Sequence, residues 1–201
     1  MENDIHPTKG AILEAAIKVF SEKGFKGATT KEIAQAAGIA EGTIFRHFSS
    51  KAAILYFIVD YYIPRLGVDS LAQTLSECQG MDRQSALRYL IQNRFDILLR
   101  GKELLRIILT EIQYDASLRE IYLERVYRPI LHILSTFFQS GMEKGDYRSA
   151  NPQLIGNLLI SYIVFFIGNQ YYLDNVPDYQ FNADAVTDIL LNGIKGSDRN
   201  E

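Results

Sequence analysis

Residues Thr30 to Phe48 read TKEIAQAAGIAEGTIFRHF, and this stretch decides the fold. Two short helical segments are separated here by only Gly38-Ile39-Ala40. Ala34 is small enough for a close helix crossing, and Gly38 permits the positive φ of a tight turn. Apolar residues would hold the pair against a preceding helix: Ile33, Ile39, Ile44 and Phe48. The spacing predicts a helix-turn-helix, whose second helix enters the major groove of DNA.

The flanking segments complete a small helical domain, residues 1–50. Apolar residues upstream recur at the three-and-four spacing of one helix face: Ile12, Ala15, Ala16, Val19 and Phe20. Gly24 is placed to end that helix in a left-handed conformation. Thr29 and Glu32 have the spacing of a capping box. Ser50 is a plausible N-cap for the next helix, which we expect to end before Pro64.

The remaining residues, 51–201, predict a larger second domain that is also helical. We find no β-alternation of useful length, no repeat and no low-complexity linker. Ser117 to Glu120 has the spacing of a second capping box, and Pro129 predicts a kink in the helix that follows. Helices are expected at 82–100, 104–114, 117–145, 152–173 and 182–195. The fold class is therefore all-α, with roughly nine helices.

Composition excludes several classes of protein. One cysteine, Cys78, permits no internal disulfide framework. The three histidines, His6, His47 and His132, share no ligand spacing with it, so no metal site and no cofactor are expected. The sequence contains no glycine-rich phosphate loop and no nucleophile elbow. We therefore expect no enzymatic activity.

The charge and hydropathy of the chain bear on its binding partners and on its location in the cell. The net charge of −3 by itself argues weakly against nucleic acid. The polar start, residues 1–10, lacks the basic and apolar regions of a signal peptide. The most apolar stretch, residues 154–167, is interrupted by Gly156, Asn157 and Ser161 and is shorter than a membrane span. We expect a cytoplasmic protein without a membrane segment.

The N-terminal quarter of the chain resembles the DNA-binding domain of the TetR/AcrR family of transcriptional regulators. The resembling residues are ILEAAIKVFSEKGF from Ile12, the stretch 29–48, and Ser50-Lys51. GMEKGDYR, residues 141–148, resembles the family's turn after its seventh helix. The resemblance implies a homodimer that binds an inverted-repeat operator in double-stranded DNA, with a second domain that dimerises and senses a small molecule.

The same resemblance implies which residues contact DNA. The recognition helix would present its first turn to the groove, and the side chains after it to bases or phosphates. The implied contacts are Thr30, Lys31, Glu41, Gly42, Thr43, Phe45, Arg46, His47 and Lys51. Three residues depart from the family pattern: Ala40 replaces a usual serine N-cap, Phe45 a usual tyrosine, and Ala53 a frequent carboxylate. The missing serine cap would cost roughly 1 kcal/mol.

The second domain is rich in tyrosine and phenylalanine, which indicates either plain core packing or a ligand cavity. We expect the helix 104–114, the kinked helix and the helix 152–173 to surround an elongated apolar cavity. Its candidate residues are Gln113, Tyr114, Tyr127, Ile130, Leu134, Phe165 and Asn169. Basic residues between Arg83 and Arg106 form either a solvated face or an attraction for an anionic head group.

The last two helices are apolar on more of their circumference than one core contact explains. Such a surface would favour aggregation if it were exposed in a monomer. We expect a C₂ dimer in which these helices pair as a four-helix bundle. The candidate interface residues are Leu158, Leu159, Tyr162, Ile163, Phe166, Ile189 and Leu190.

Two functions remain open at this point. The first is a ligand-responsive repressor, released from its operator by a small hydrophobic effector. The second is a DNA-binding architectural or partner-recruiting protein without a small-molecule ligand. A packed second domain would favour the second, whereas a cavity would favour the first.

Overall fold

The computed structural model describes residues 6–172 and 180–193, and within these ranges the chain forms helices joined by turns, with no strand. The helices are α1 (Pro7–Gly27), α2 (Thr30–Ala36), α3 (Glu41–His47), α4 (Lys51–Phe57), α5 (Ser70–Glu77), α6 (Arg83–Arg100), α7 (Lys102–Glu111), α8 (Ala116–Tyr122), α9 (Arg128–Glu143), α10 (Pro152–Tyr172) and α11 (Ala183–Asn192). Three π-helical segments lie between them, at Ile58–Tyr62, Arg65–Asp69 and Leu123–Tyr127. The expected all-α fold is confirmed. Leu173 and residues 194–195, where the last two helices were expected to end, lie outside the described residues.

The predicted caps at Thr29 and Ser50 are confirmed, whereas the predicted end of α1 at Gly24 is wrong. Gly24 has a φ of 71° and a ψ of 161°, so it kinks the chain without the left-handed helical conformation, and α1 continues to Gly27. Thr29 and Glu32 form both hydrogen bonds of a capping box. The Ser50 hydroxyl accepts from the Ala53 amide at 3.1 Å and starts α4. Local sequence signals therefore set the helix boundaries that position the helix-turn-helix.

The expectation that a helix ends before Pro64 is wrong. Helical backbone continues without a break from Lys51 to Glu77. Pro64 lies between the π-helical segments Ile58–Tyr62 and Arg65–Asp69. Proline removes one backbone donor, and the wider π turns on either side accommodate that loss inside one helix.

Pro129 also lies within an unbroken helical run, from Ala116 to Glu143. The π-helical segment Leu123–Tyr127 directly precedes it, and such a segment accommodates the backbone donor that the proline lacks. The predicted kink at Pro129 stays a prediction. The predicted cap at Ser117 is wrong by two residues. Asp115 is the N-cap of α8, and its carboxylate accepts from the Leu118 amide at 2.9 Å. Counting each unbroken run once, the described residues contain nine helices.

The chain divides into two compact units, and the first comprises Met1–Val68 with Gly101–Pro129. Its core joins side chains from six helices, α1 to α4, α7 and α8. Phe20, Ile33, Ile54 and Leu118 are each essentially inaccessible to solvent in this core. The unit that holds the helix-turn-helix therefore includes residues 51–68, α7 and α8 as well as residues 1–50.

The second unit comprises Asp69–Arg100 with the chain from Ile130 onward. The Phe95 ring of α6 stacks on Phe181 with ring centres 3.7 Å apart, and it meets Phe166 edge-on at 5.7 Å. Gly156 allows α10 to approach α9 closely, because a Cβ there would lie 3.2 Å from the Leu131 side chain. These contacts form an aromatic core around α6 and α10.

Helix α10 contains a segment, Pro152–Asn169, that is long and apolar enough to cross a membrane by length and composition alone. Leu159, Ile163, Phe166 and Ile167 on this helix are buried within the chain. A core helix of a folded domain can have the same composition, and in this segment 28% of the residues are buried, on one face of α10.

Candidate DNA-binding interface and ligand-binding region

Helices α2 and α3 are held in a helix-turn-helix by buried apolar side chains and a glycine turn. Gly38 has a φ of 67°, as the turn requires. The Ile39 amide donates to the Ala34 carbonyl at 3.0 Å and closes the turn. Ile33, Ala34 and Ile44 are buried. The opposite face of α3 is consequently turned outward.

The outward face of α3 carries three of the predicted DNA contacts. Phe45 is 52% exposed, although a large apolar side chain normally lies inside. Gly42 and Arg46 are also exposed, and a Cβ on Gly42 would meet no atom within 4 Å. The protein's own packing therefore does not demand a glycine here, whereas close approach of a DNA backbone would. Thr43 is half-buried beside them.

Thr30 and Glu41, two further predicted contacts, are bonded to each other. The Thr30 hydroxyl donates to the Glu41 carboxylate at 2.6 Å and joins the first residues of α2 and α3. This hydrogen bond fixes the start of the recognition helix. It also engages the hydroxyl proton of Thr30 with a carboxylate of the protein itself. Lys31, next to Thr30, is exposed and remains oriented toward solvent.

The structure places Lys51 in a different role from the predicted phosphate contact. Its ammonium donates to the carbonyl oxygens of Phe25 and Ala28, both at 2.6 Å, and lies 4.6 Å from the Phe25 ring centre. A cation at the C-terminal end of α1 neutralises the carbonyls that the helix leaves unpaired. Lys51 therefore links the start of α4 to the end of α1, and its ammonium group is hydrogen-bonded to backbone carbonyls within the protein.

His47 also faces the protein more than was expected. Its Nε2 atom is buried and has no hydrogen-bond partner. Its ring lies 5.6 Å from the ring of His6, the residue that caps α1. Nε2 is therefore not available to a phosphate in this conformation, which leaves Arg46 as the basic side chain of α3 that reaches solvent.

A salt bridge stabilises the N-terminal end of α2. Lys23 donates to Glu32 at 2.6 Å, and Glu32 also accepts from the Thr29 amide and hydroxyl. These hydrogen bonds, led by the one from Lys23, lower the pKa of Glu32 to about 2. Glu32 is therefore charged at neutral pH and completes the cap.

Two contacts without a local sequence signal join α4 and the π-helical segment after it to the N-cap of α8 and the π-helical segment that follows α8. The Tyr56 hydroxyl donates to the Asp115 carboxylate at 2.7 Å, and Arg125 donates to Asp60 at 2.8 Å. The hydrogen bond to Asp115 raises the pKa of Tyr56. Tyr56 and Asp60 are four residues apart, so they lie on one helix face. An open cleft of about 580 Å³ adjoins these side chains.

The predicted ligand-pocket residues do not line the cleft beside Tyr56 or a second cavity, between α5 and α9, that the described residues form. Tyr114 is 72% exposed, with Lys26 over its ring, and Phe165 is 69% exposed. Leu134 is buried in the second unit's core. Gln113 is exposed and donates to the Leu109 carbonyl at 2.7 Å. The rest of the set is half-buried: Tyr127, Ile130 and Asn169.

The predicted dimer residues fall into two groups. Leu159, Ile163 and Phe166 are buried in the protomer's own core, so the assignment of these three to a subunit interface needs correction. Their periodicity could not distinguish an inner from an outer apolar face. Leu158 and Ile189 are more than half exposed, as is Leu154, which the sequence analysis did not select. Tyr162 and Leu190 are half-buried.

The residues with metal-binding chemistry are dispersed. Among the described residues, no group of three His, Cys, Asp or Glu side chains is placed to hold a metal ion. The single cysteine, Cys78, is buried, and burial raises the pKa of its thiol.

The exposed recognition helix, its capped partner helix and the surrounding core form a helix-turn-helix of the type that DNA-binding domains use. Residues 12–56 match the family described as bacterial regulatory proteins, tetR family. The matched segment contains the helix-turn-helix and is similar to the N-terminal part of that family.

Relatives and solved structures show similarity over more of the chain. The chain is 33% identical to the uncharacterized HTH-type transcriptional regulator YvdT of Bacillus subtilis over 123 residues, which are 59% of this chain and 58% of YvdT. The matched part thus spans less than two thirds of that relative. The repressor NicS of Pseudomonas putida is 25% identical over 199 residues, 94% of this chain and 92% of NicS. The crystal structure of the regulator FadR from Bacillus subtilis with stearoyl-CoA superposes with a TM-score of 0.76 and 22% identity, covering 92% of this chain and 99% of that one.

Proposed function

We propose that the protein is a repressor that binds an inverted-repeat operator as a homodimer and leaves it when a small hydrophobic effector binds. The observation that carries the proposal is the exposed face of α3, where Phe45 and Arg46 project beside a side-chain-free Gly42. Exposed aromatic and basic groups on a short, firmly docked helix suit contacts with bases and phosphates. The protein would act in the cytoplasm and without enzymatic activity.

Each part of the interface has a proposed role. Arg46 and Lys31 bind phosphates or base edges, and Phe45 packs against an apolar base edge such as a thymine methyl. Gly42 admits the DNA backbone, and Thr43 donates to a nearby phosphate. Lys51 acts indirectly, because it holds α4 against the C-terminal end of α1.

An exposed apolar stripe on α10 supports the homodimer. Leu154, Leu158 and Phe165 are 56%, 54% and 69% exposed and lie on one face of the helix. Ile189 on α11 is 52% exposed. Packing these side chains against a second copy would remove them from water, as a four-helix bundle does. The dimer would set its recognition helices about 34 Å apart, one turn of B-DNA.

Coupling to an effector would use the helix that begins at Lys51. Tyr56 and Asp60 bind Asp115 and Arg125, so movement of α8 is transmitted to the helix that supports α3. An effector that binds the DNA-free conformation better would shift the population toward it. An effector preference of about 100-fold corresponds to roughly 2.7 kcal/mol, enough to vacate an operator at ordinary repressor levels.

The purified full-length protein and a pool of random duplexes test DNA recognition. Selection should enrich an inverted repeat whose half-sites lie about one helical turn apart. Arg46→Ala should lose that preference or weaken binding, whereas Arg148→Ala, at an exposed position after α9, should leave it unchanged. If no palindrome is enriched by a folded protein, the operator-binding proposal fails.

The alternative function, a DNA-binding protein without a ligand, has a separate test. Compounds that are hydrophobic with one polar end should raise the melting temperature and lower operator affinity. Enrichment of an operator together with no response to any such compound would favour the architectural function.

A further inference from the structure

A cavity of about 620 Å³ lies entirely within the second compact unit. Its walls are the end of α5, the first turn of α6, one face of α9 and the turn that follows α9. This volume falls within the range of sites for small organic ligands. None of the residues that the sequence indicated for an effector pocket lines it.

The cavity combines apolar walls with a basic rim. Leu75, Ile133 and Phe137 provide apolar surface, while Arg83, His132 and Lys144 provide nitrogen groups. Among the described lining residues Asp146 is the one acidic residue, so the lining is net positive when His132 is neutral. Charge complementarity therefore favours an anionic head group over a cationic one.

The basic side chains Arg83 and Lys144 form no ion pair with the Asp146 carboxylate of the rim. The Arg83 guanidinium donates to the backbone carbonyl of Asp146, which leaves its positive charge uncompensated by that contact. Lys144 is exposed at the mouth. The nearby Glu143 carboxylate accepts from Gln139 at 2.8 Å and does not line the cavity.

One wall of the cavity is rigidly built. The Tyr147 ring lies directly on Gly141, where a Cβ would come within 2.2 Å of the ring. Phe137 and Phe138 hold the same ring, with centres 6.2 and 5.8 Å away. Burial raises the pKa of Tyr147 to about 12, so its hydroxyl remains a neutral hydrogen-bond donor at physiological pH.

The geometry points to this cavity as a binding site for a hydrophobic anion, a compound with an apolar chain and one terminal carboxylate. The chain would lie against Leu75, Ile133 and Phe137, and the carboxylate would bind Lys144 and Arg83, with the Tyr147 hydroxyl as a further donor. The inference rests on the proposed function in one respect: the compound would be the effector of the regulator.

Isothermal titration of the full-length protein with three ten-carbon probes tests the site. Decanoate, decylamine and decanol have the same chain and differ in the charge of the head. Decanoate should bind about tenfold or more tightly than decylamine, with decanol between them, since about 1.4 kcal/mol separates each factor of ten. Equal affinities for decanoate and decylamine would overturn the assignment of an anion site.

Matched variants locate the binding. Lys144→Glu should weaken decanoate binding about tenfold or more and improve decylamine binding. Arg148→Glu makes the same charge change four residues away, outside the cavity lining, and should leave both affinities close to wild type. Equal losses in the two variants would show a general charge effect and would reject the site. Circular dichroism of both variants checks that they fold.

Covalent mapping gives an independent result. A photoactivatable diazirine analogue of decanoate should label peptides containing residues 72–86 and 132–147, and excess decanoate should suppress the labelling. Labelling elsewhere would overturn the proposal. Operator binding is measured separately: an operator-binding protein that shows no decanoate site loses only this inference, whereas decanoate binding without any operator rejects the regulator and retains the site.

Discussion

The Lys51 side chain contacts Phe25 twice: its ammonium donates a 2.6 Å hydrogen bond to the Phe25 carbonyl and lies 4.6 Å from the centre of the Phe25 ring. Phe25 follows Gly24, whose positive φ turns the chain at the end of α1. The first residue of α4 thus closes the last turn of α1, and the two helices bracket the helix-turn-helix. A lysine that resembles a phosphate contact in sequence thus joins two helices of the candidate interface.

The first prediction separates these two roles of lysine. Lys51→Ala should lower the free energy of unfolding by about 1–2 kcal/mol, because charge-assisted hydrogen bonds to backbone carbonyls are lost. It should leave the salt dependence of operator binding unchanged. Lys31→Ala, at an exposed position of α2, should change stability by less than about 0.5 kcal/mol and lower the salt slope by about one. Urea unfolding and salt titration of operator affinity measure both quantities, and the opposite pattern would restore Lys51 as a phosphate contact.

Whether a feature could be predicted from the sequence depends on how far apart in the chain its interacting residues lie. The Thr29 capping box, the Gly38 turn and the Ser50 cap depend on neighbours within four residues, and all were predicted. The Lys51 contact joins residues 26 positions apart, and no local pattern marks its partner. Pro64 was misjudged because a proline has two outcomes, a helix end or a π-helical adjustment, and tertiary packing selects between them.

In the candidate sites, too, features with a local sequence signal could be predicted and features that depend on tertiary packing could not. Periodicity identified α10 as apolar around most of its circumference, yet it could not separate the buried Ile163 from the exposed Phe165. The cavity in the second unit joins α5 and α9, which are more than fifty residues apart in the chain. Its lining therefore became visible only when the helices were placed in three dimensions.

The second prediction concerns the pH dependence of stability. Glu32 has a pKa of about 2 in the folded protein and a normal, higher value when unfolded, so folding favours its charged form. Its contribution to stability is complete above its unfolded pKa near 4.5 and is lost as the pH falls toward about 2. The gap in urea midpoint between wild type and Glu32→Gln should therefore be largest at neutral pH and should narrow through this window.

Glu14→Gln, at an exposed position of α1, controls for the loss of one negative charge. A gap between wild type and Glu32→Gln that stayed constant from neutral pH down to about pH 2 would show that the Lys23–Glu32–Thr29 contacts contribute nothing specific.

The third prediction uses the missing cap of the recognition helix. Ala40 has the extended backbone of an N-cap residue, with φ −71° and ψ 143°, but provides no side-chain hydrogen bond to α3. Ala40→Ser should supply a hydroxyl acceptor and stabilise the protein by about 0.5–1 kcal/mol. Ser50 provides such a cap to α4 in the same chain, where its hydroxyl accepts from the Ala53 amide.

Ala36→Ser is the matched control, since Ala36 is exposed and lies at the end of α2, where serine caps nothing. Thermal unfolding should show a higher melting temperature for Ala40→Ser and an equal or lower one for Ala36→Ser. Equal shifts in both variants would mean that α3 gains no cap.

The fourth prediction concerns the subunit interface on α10. Phe165 is 69% exposed and Leu158 is 54% exposed in the protomer, so a charge at either position meets water in the monomer and is buried only in a dimer. Phe165→Glu and Leu158→Glu should therefore yield folded, soluble monomers, because an unpaired charge at an interface core costs several kcal/mol. Light scattering should show twice the mass of one chain for wild type and a single chain for each variant.

Two comparisons make this result specific to the exposed stripe. Gln153→Glu adds a charge to an exposed residue on another face of α10 and should remain dimeric. Ile163→Asp places a charge in the protomer core, where the side chain is 2% exposed, and should unfold the chain rather than separate two folded subunits. If Phe165→Glu stays dimeric while Gln153→Glu dissociates, the interface lies on a different face of α10. Loss of operator affinity in a folded Phe165→Glu monomer would then connect this surface to DNA binding, because two half-sites bind tightly only when one dimer presents both recognition helices.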